Sequence, residues 1–171
     1  MTKKVVIHHL FLSPGHNFQG RHGKSPGDSP IIAKDALHCL AGRGIEGDRF
    51  FDHRPDFKGQ ITFFDLKVHQ ALEAHLGRSF LPSAYRRNVV VEGLELLTWI
   101  GKTFRMGGVV FEGTEEARPC YWMNTACGEG AEEWLRGRGG LRARIVNSGF
   151  LERGQVQISE ISSGPKGASV G

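Results

Sequence analysis

Short apolar segments rich in β-branched residues alternate along the chain with segments rich in glycine, proline and polar residues. Apolar runs bounded by turn residues are typical of β-strands. The pattern predicts a hairpin across residues 101–113 and further strands at residues 3–12, 31–40, 60–64, 86–92, 141–147 and 155–161. Gly107 and Gly108 supply the hairpin turn, because glycine adopts the positive φ angles that tight turns need.

Two segments carry helical signals instead. In the first, apolar residues recur every four positions along about ten residues, at Val68, Leu72 and Leu76. Asp65 precedes this stripe as an N-cap, and Gly77 follows it as a helix stop. The stripe leaves His69 and His75 on the predicted solvent-facing surface of the helix. A second short helix is predicted between residues 129 and 136.

These elements predict a mostly β fold with seven or eight short, mainly antiparallel strands and two or three short helices. Strands that come in hairpins, with tight turns between them, favour a barrel or a strongly bent sheet. The length of 171 residues fits one domain, which we place at residues 1–161. Residues 13–30 are predicted to be a long loop that orders around a ligand, and residues 162–171 a disordered tail.

Composition narrows the class of protein. Hydrophobic residues make up 39% of the chain and charged residues 23%, which is ordinary for a soluble globular domain. No apolar run has the length of a membrane span, and the start lacks the features of a signal peptide, so we expect a cytoplasmic protein without a membrane partner. The net charge of +4 comes without a basic stripe with interleaved aromatic residues, so no nucleic-acid partner is expected.

Cys120 is the residue with the most evident chemistry. Pro119 breaks the preceding strand, because proline cannot donate a ladder hydrogen bond, and this places the thiol on a stiff loop. Arg118 lies two residues upstream, and a nearby cation favours the thiolate, which is a nucleophile and a soft metal ligand. A buried structural cysteine is the alternative. Cys39 is better explained as a small residue of the hydrophobic core, and the sequence does not decide the role of Cys127.

Two charged motifs could accompany this sulfur. If Arg86, Arg87 and Asn88 open a strand, Arg86 and Asn88 share one face and Arg87 lies on the other. A guanidinium and an amide on one face can hold a phosphate or the polar edge of a ring, although a solvated strand start is equally consistent. A glycine-rich turn ahead of Asp48 and Arg49 could bring both residues to the mouth of a site. Its GxGxxG spacing is a weak dinucleotide signal, since no helix is predicted after it.

Other chemistries receive less support. His16 and His22 share one loop, but the chain has no HExxH and no CxxC motif, so a structural zinc site is disfavoured. No GxSxG elbow indicates a serine hydrolase. A hydrolase that pairs Cys120 with a distant histidine stays open, because the sequence does not place that histidine.

The order of the motifs is more specific than any one of them. It resembles the MOSC domain, which occurs at the C-terminus of molybdenum cofactor sulfurases and as free-standing bacterial proteins. The resemblance extends over roughly residues 5–160 and rests on Ser-Pro-Gly-His-Asn-Phe, Gly-Arg-Gly-Ile-Glu-Gly-Asp-Arg-Phe, Gly-Gln-Ile-Thr, Tyr-Arg-Arg-Asn-Val-Val-Val, Leu-Thr-Trp-Ile-Gly-Lys-Thr-Phe and Arg-Pro-Cys. It implies a β-barrel of the pyruvate-kinase-barrel type.

The resemblance also implies a cofactor and its ligands. It implies binding of molybdenum cofactor, a pterin dithiolene with a terminal phosphate, with Cys120 either as a ligand to molybdenum or as the carrier of a persulfide. Arg86 and Asn88, with Arg87 between them, match an Arg-x-Asn element that meets the pterin or its phosphate. Asp48 and Arg49 match a Gly-Asp-Arg element. Arg118 departs from the acidic residue or cysteine that many free-standing members carry there.

By analogy with relatives, we expect a reductase of N-hydroxylated compounds, which receives electrons from a separate protein because the chain lacks a ferredoxin-like cysteine set. The alternative is a sulfur carrier without redox turnover, which takes a persulfide on Cys120 from a partner such as a cysteine desulfurase. The pyridoxal-phosphate domain of the sulfurases is missing from this sequence, so no pyridoxal phosphate is expected.

Overall fold

The computed structural model describes residues 2–16 and 29–162. The strands in this part are β1 (Thr2–Leu12), β2 (Ile32–Lys34), β3 (Ala36–Leu40), β4 (Gly44–Ile45), β5 (Ile61–Asp65), β6 (Val89–Glu92), β7 (Thr103–Met106), β8 (Val109–Glu116), β9 (Leu141–Asn147), β10 (Gly149–Glu152) and β11 (Gly154–Ile161). The α-helices are α1 (Leu66–Leu76), α2 (Trp122–Ala126) and α3 (Ala131–Trp134), and two 3-10 helices span Pro82–Tyr85 and Leu96–Trp99. Most of the predicted loop and nearly all of the predicted tail lie outside the described residues.

Seven strands close into a barrel in the order β1, β6, β5, β9, β8, β7 and β11. The closing ladder pairs β11 with β1 antiparallel, from Thr2 opposite Ser159 to Ile7 opposite Gly154. β2 extends the sheet beside β1, and β10, β3 and β4 form a separate three-stranded sheet. The predicted mostly β barrel with short helices is therefore confirmed.

Several predicted boundaries were wrong, each for a local reason. The segment 31–40 divides at Asp35, because β2 pairs with β1 whereas β3 pairs with β10. The strand predicted at 86–92 begins only at Val89, since Arg86 adopts a left-handed conformation with φ of 56° that a strand cannot contain. β4 was not predicted because it is only two residues long, and β10 was not predicted because its four residues pair with the distant β3.

The barrel interior is filled by alternating apolar side chains. Phe63, Phe104 and Phe111 are at most 1% exposed, and the rings of Phe63 and Phe111 meet edge to face at 5.3 Å. Full burial of one such side chain stabilises the fold by roughly 1.5–3 kcal/mol. A second apolar cluster lies between the barrel wall and the helices and contains Phe64, Leu72, Tyr85, Met123, Cys127, Ala131 and Leu135. This second cluster supports the site described below.

Helix α1 follows the sequence signals closely. Asp65 Oδ1 accepts a hydrogen bond from the Lys67 amide at 2.9 Å, and Gly77 ends the helix with φ of 66°. The surface position predicted for His75 is confirmed, but the one predicted for His69 was wrong. His69 is 4% exposed, because α1 also packs on the segment around Tyr85, whose hydroxyl lies 2.8 Å from His69 Nδ1. No helix in the described ranges is long and apolar enough to cross a bilayer.

Candidate functional site

Cys120 lies on the loop between β8 and α2. β8 ends at Glu116, three residues ahead of Pro119, and the carbonyl of Cys120 accepts a hydrogen bond from Met123 N at 2.9 Å as α2 begins. All three cysteines lie in the described ranges, and Cys120 alone is exposed, whereas Cys39 and Cys127 are buried. Burial raises the pKa of each buried thiol to about 12, so both stay protonated at neutral pH.

A cavity of about 310 Å³ brings Cys120 together with three of the predicted cations. Its wall contains the guanidinium groups of Arg49, Arg86 and Arg87. The rest of the wall is largely aromatic or apolar and includes His16, Phe50, Tyr85, Trp122 and Met123. A soft sulfur, several cations and flat apolar surfaces in one cavity suit a ligand that is both anionic and planar.

Arg86 has the most unusual environment in this cavity. The residue is 8% exposed, and its Nη2 donates to Ser13 Oγ at 2.6 Å and to Gly15 O at 2.7 Å. Its Nη1 is buried and has no hydrogen-bond partner among the described residues. Burial, and then the charge of Arg49, lower the pKa of Arg86 to about 10, which still leaves it charged at neutral pH. An unpaired buried cationic donor is costly, so a partner is expected at Nη1.

Arg87 ties two loops together. Its Nε donates to Gly139 O at 3.1 Å, its Nη1 to Tyr85 O at 3.2 Å and its Nη2 to Ala117 O at 3.0 Å. A side chain on Gly139 would collide with the carbonyl oxygen of Ala117, so glycine is needed where these loops meet. Burial lowers the pKa of Arg87 to about 10, and a negative charge on Cys120 acts in the opposite direction. Arg87 thus sets the position of the segment that leads to Cys120.

Asn88 lines neither this cavity nor the adjoining one. Its Oδ1 accepts hydrogen bonds from Thr62 N at 3.0 Å and Thr62 Oγ1 at 3.1 Å, and its Nδ2 donates to Phe11 O at 3.1 Å. The side chain therefore joins the start of β6 to β1 and β5. The predicted sharing of a face by Arg86 and Asn88 does not occur, because β6 starts after both residues.

Asp48 and Arg49 separate in a similar way. Asp48 is 5% exposed, and its Oδ1 accepts a hydrogen bond from Ser13 N at 2.9 Å, behind the cavity wall. Arg49 lies in the wall, 3.4 Å from Asp48 Oδ1, with its guanidinium 4.6 Å from the centre of the Phe50 ring. Burial lowers the pKa of Arg49, and Asp48 opposes that shift. Asp48 thus anchors the turn that presents Arg49.

Sequence reasoning missed several contributions to this cavity, among them His16 and Tyr85. His16 was considered only as a possible zinc ligand, yet it lies in the wall with its ring 5.0 Å from that of Phe50. Burial and then the charge of Arg49 lower the pKa of His16, so the imidazole is neutral at pH 7. Tyr85, in the wall beside Arg86, is stacked on Phe64 at 4.0 Å. The aromatic residue directly before Arg86 was the available signal for Tyr85.

His22 lies outside the described residues. Within residues 2–16 and 29–162, no three His, Cys, Asp or Glu side chains come together as a metal site. Any metal at Cys120 would therefore need ligands other than the His, Cys, Asp and Glu side chains of the described residues, such as the sulfur atoms of a cofactor.

Comparison with known proteins gives the family. The sequence model of the MOSC domain matches residues 52–158. Among solved structures, the YuaD protein from Bacillus subtilis has a TM-score of 0.69 at 16% identity, over 95% of this chain and 99% of that one. YiiM from Geobacillus stearothermophilus has a TM-score of 0.67 at 17% identity, over 95% of this chain and 77% of that one. YiiM from Escherichia coli has a TM-score of 0.65 at 16% identity, over 95% of this chain and 72% of that one.

Such low identities establish a shared fold alone. A search of curated proteins gave no match. The match to the domain model extends over more than half of the chain and includes Arg86, Arg87 and Cys120. The protein therefore belongs to the MOSC domain family.

Proposed function

We propose that this protein binds molybdenum cofactor with Cys120 as a protein ligand to the metal, and that it reduces N-hydroxylated compounds. The observation that carries the proposal is one cavity whose wall contains both the exposed thiol of Cys120 and Arg86, whose buried Nη1 has no hydrogen-bond partner among the described residues. The overall reaction converts N–OH to N–H with two electrons and two protons and releases water.

The residues fit the cofactor. Arg86 Nη1 is left with a desolvation cost of about 1–3 kcal/mol, which a phosphate or a pterin oxygen would relieve by accepting a hydrogen bond. Cys120 supplies a soft sulfur donor without competition from the buried thiols. Phe50, Tyr85 and Trp122 add flat surfaces in the same wall, against which a planar ring system can pack.

Each residue of the predicted set takes a defined role. Cys120 would hold the metal, and Arg86 and Arg49 would contact the anionic part of the cofactor. Arg87 holds the Cys120 loop through the carbonyl of Ala117. Asn88 and Asp48 hold the strand start and the turn on which the arginines are carried. His16, neutral at pH 7, can hold or pass a proton inside the cavity.

When bound, the cofactor supplies the two-electron reduction and oxygen removal that these side chains cannot perform. With three cysteines in the sequence, the chain cannot ligate an iron–sulfur cluster by four thiolates, so the proposal includes a separate electron-donor protein.

A second candidate function is a sulfur carrier in which Cys120 accepts a persulfide from a donor such as a cysteine desulfurase. The exposure of Cys120 favours this alternative, because a partner protein can reach the sulfur. A sulfur carrier would leave Arg86 Nη1 without a partner among the described residues, which is why we prefer the cofactor-binding function.

The test is to express the protein in cells that make the cofactor and to measure molybdenum and pterin in the purified protein. We expect near-stoichiometric metal, its loss in Cys120→Ser, and at least tenfold lower occupancy in Arg86→Ala. Cys39→Ala is the matched thiol control, and should lower stability and leave the metal content unchanged, since Cys39 is fully buried in the barrel core. Metal-free protein that carries a persulfide on Cys120 would instead establish the carrier.

A further inference from the structure

A second cavity, of about 430 Å³, adjoins the one that contains Cys120. The two share Arg49, Phe50, Arg86 and Arg87 in their walls, but Cys120 lines only the first. A molecule that reaches Cys120 can therefore extend into the second cavity past these shared residues.

The second cavity is strongly cationic. Its wall contains five guanidinium groups, from Arg49, Arg86, Arg87, Arg118 and Arg142, against the two carboxylates of Glu115 and Glu116. The wall thus has an excess of three positive charges. Such a concentration of arginines in a concave surface favours a multiply charged anion.

Not all five arginines are committed to the protein. Arg87 is engaged with backbone carbonyls and Arg49 with Asp48. By contrast, Arg86 Nη1 has no partner among the described residues, and no ion pair in that part of the chain includes Arg118, which is exposed. Because Arg86 Nη1 is already assigned to the cofactor, Arg118 provides the donors for a further ligand in this cavity.

Arg142 is held in place at the edge of the same cavity. It pairs with Glu115, and its guanidinium lies 5.1 Å from the centre of the Phe57 ring. Gly59 leaves room for it, since a Cβ on that residue would lie 2.6 Å from Arg142 Nε. A guanidinium fixed in this way loses little entropy when it binds an anion.

Glu116 adds a contact of opposite sign. Its Oε2 is buried and accepts no hydrogen bond from the described residues. A bare anion would be repelled by this carboxylate, whereas a molecule that also carries N–H groups can donate to it. The ligand that suits the whole wall therefore combines an anionic group with an N–H edge.

We propose that the second cavity binds the phosphoryl group of a phosphorylated substrate, such as a nucleotide, through Arg118 and Arg142, while Glu116 accepts from its N–H edge. The inference rests on the proposed function, since it concerns a molecule that reaches Cys120. A phosphorylated substrate, such as a nucleotide, and the phosphate of the cofactor have the same chemistry here.

The test is isothermal titration of the purified, molybdenum-free chain with guanosine 5′-monophosphate, which has both a phosphoryl group and an N–H edge, and with guanosine, which lacks the phosphoryl group. We expect at least tenfold weaker binding of guanosine, and about tenfold weaker binding of the nucleotide to Arg118→Ala and to Arg142→Ala. Arg105→Ala, an exposed arginine on β7 outside both cavities, removes the same charge and should change nothing. Equal affinity for the two probes, or an equal loss in Arg105→Ala, would overturn the proposal.

Glu116→Gln provides a second readout. This variant should bind guanosine 5′-monophosphate several-fold more weakly. It should also show a smaller preference for that nucleotide over inosine 5′-monophosphate, which lacks the exocyclic amino group. Glu129→Gln is the matched control, because Glu129 is an exposed glutamate outside both cavities. An unchanged preference in Glu116→Gln would remove Glu116 from the site.

Repeating the titration with cofactor-loaded protein distinguishes the two sources. Retained nucleotide binding assigns the cavity to a phosphorylated substrate, whereas lost binding would assign it to the phosphate of the cofactor and overturn the proposal. Failure of the proposed function is a separate result, namely protein that contains no molybdenum although guanosine 5′-monophosphate still binds.

Discussion

Three consecutive residues, Arg86, Arg87 and Asn88, have three different roles, and their backbone explains why. Arg86 adopts a left-handed conformation, which costs a non-glycine residue roughly 1–2 kcal/mol. The hydrogen bonds from its guanidinium to Ser13 and Gly15 help to offset that cost. The conformation turns Arg86 towards the cavity, while Arg87 and Asn88 bond to neighbouring segments.

Asn88→Ala should lower the free energy of unfolding by about 3 kcal/mol, because it leaves the Thr62 amide and the Phe11 carbonyl without their partner. Chemical denaturation monitored by tryptophan fluorescence measures the change. Thr98→Ala, which removes an exposed hydroxyl that donates to Glu95 O, is the control and should cost less than about 1 kcal/mol. If the free energy of unfolding fell by the same small amount in both variants, Asn88 would have no structural role.

At this scale, the sequence could predict what local chemistry determines. Pro119 predicted the end of the strand before Cys120, and the apolar surroundings of Cys39 predicted its burial. The distant partners of Arg87 and Asn88 could not be predicted, because the carbonyls of Gly139, Ala117 and Phe11 come close only after the barrel closes.

At the scale of elements, the site is held by loops attached to rigid pieces. The 3-10 helix Pro82–Tyr85 ends at Arg86, and α2 begins just after Cys120. The second apolar cluster packs both pieces against α1 and α3 through Tyr85 and Met123. The distance between thiol and guanidinium therefore depends on helix packing as well as on the barrel.

Arg87→Lys should loosen the Cys120 loop while it preserves the charge, because one ammonium group cannot reach the three carbonyls that the guanidinium holds. We expect amide hydrogen exchange across residues 117–121 to accelerate about tenfold, as read by mass spectrometry. Arg105→Lys is the matched exposed control and should leave the exchange rates of these residues unchanged. Exchange at the wild-type rate in Arg87→Lys would show that the loop is held by other contacts.

Elements with strong local signals were predictable and those set by pairing were not. The cap of α1 by Asp65 and its end at Gly77 followed from residue types alone. β10 escaped prediction because only its pairing with β3 makes it a strand. His69 was placed on the wrong side of α1, since the sequence does not show that Tyr85 packs there.

At the scale of the whole molecule, the barrel combines antiparallel hairpins with one parallel pair. β5 and β6 run parallel because α1 and the 3-10 helix cross between them. Strand number and glycine-rich turns predicted a barrel, but the order of strands around it depends on long-range pairing that one sequence does not reveal.

The buried thiols predict an alkaline limit to stability. Burial raises the pKa of Cys39 and Cys127 from 9.0 to about 12, so the folded chain keeps protons that the unfolded chain releases. The stabilisation is complete below pH 9 and is lost as the pH rises towards 12, by about 1.4 kcal/mol for each thiol at pH 10. Urea denaturation at pH 8 and pH 10 should show the decrease, and Cys39→Ala should show about half of it. If Cys39→Ala lost as much stability between pH 8 and pH 10 as the wild type, the buried thiols would not be the cause of the decrease.

The ladder between β1 and β11 has a consequence for synthesis on the ribosome. Residues 2–7 are made long before residues 154–159, with which they pair on one side. A nascent chain must therefore keep its opening strand unpaired along that edge until almost all of the described sequence has emerged. Closure of the barrel must therefore wait until residues 154–159 have emerged, and in the interval the apolar strand β1 is exposed to aggregation and to chaperones.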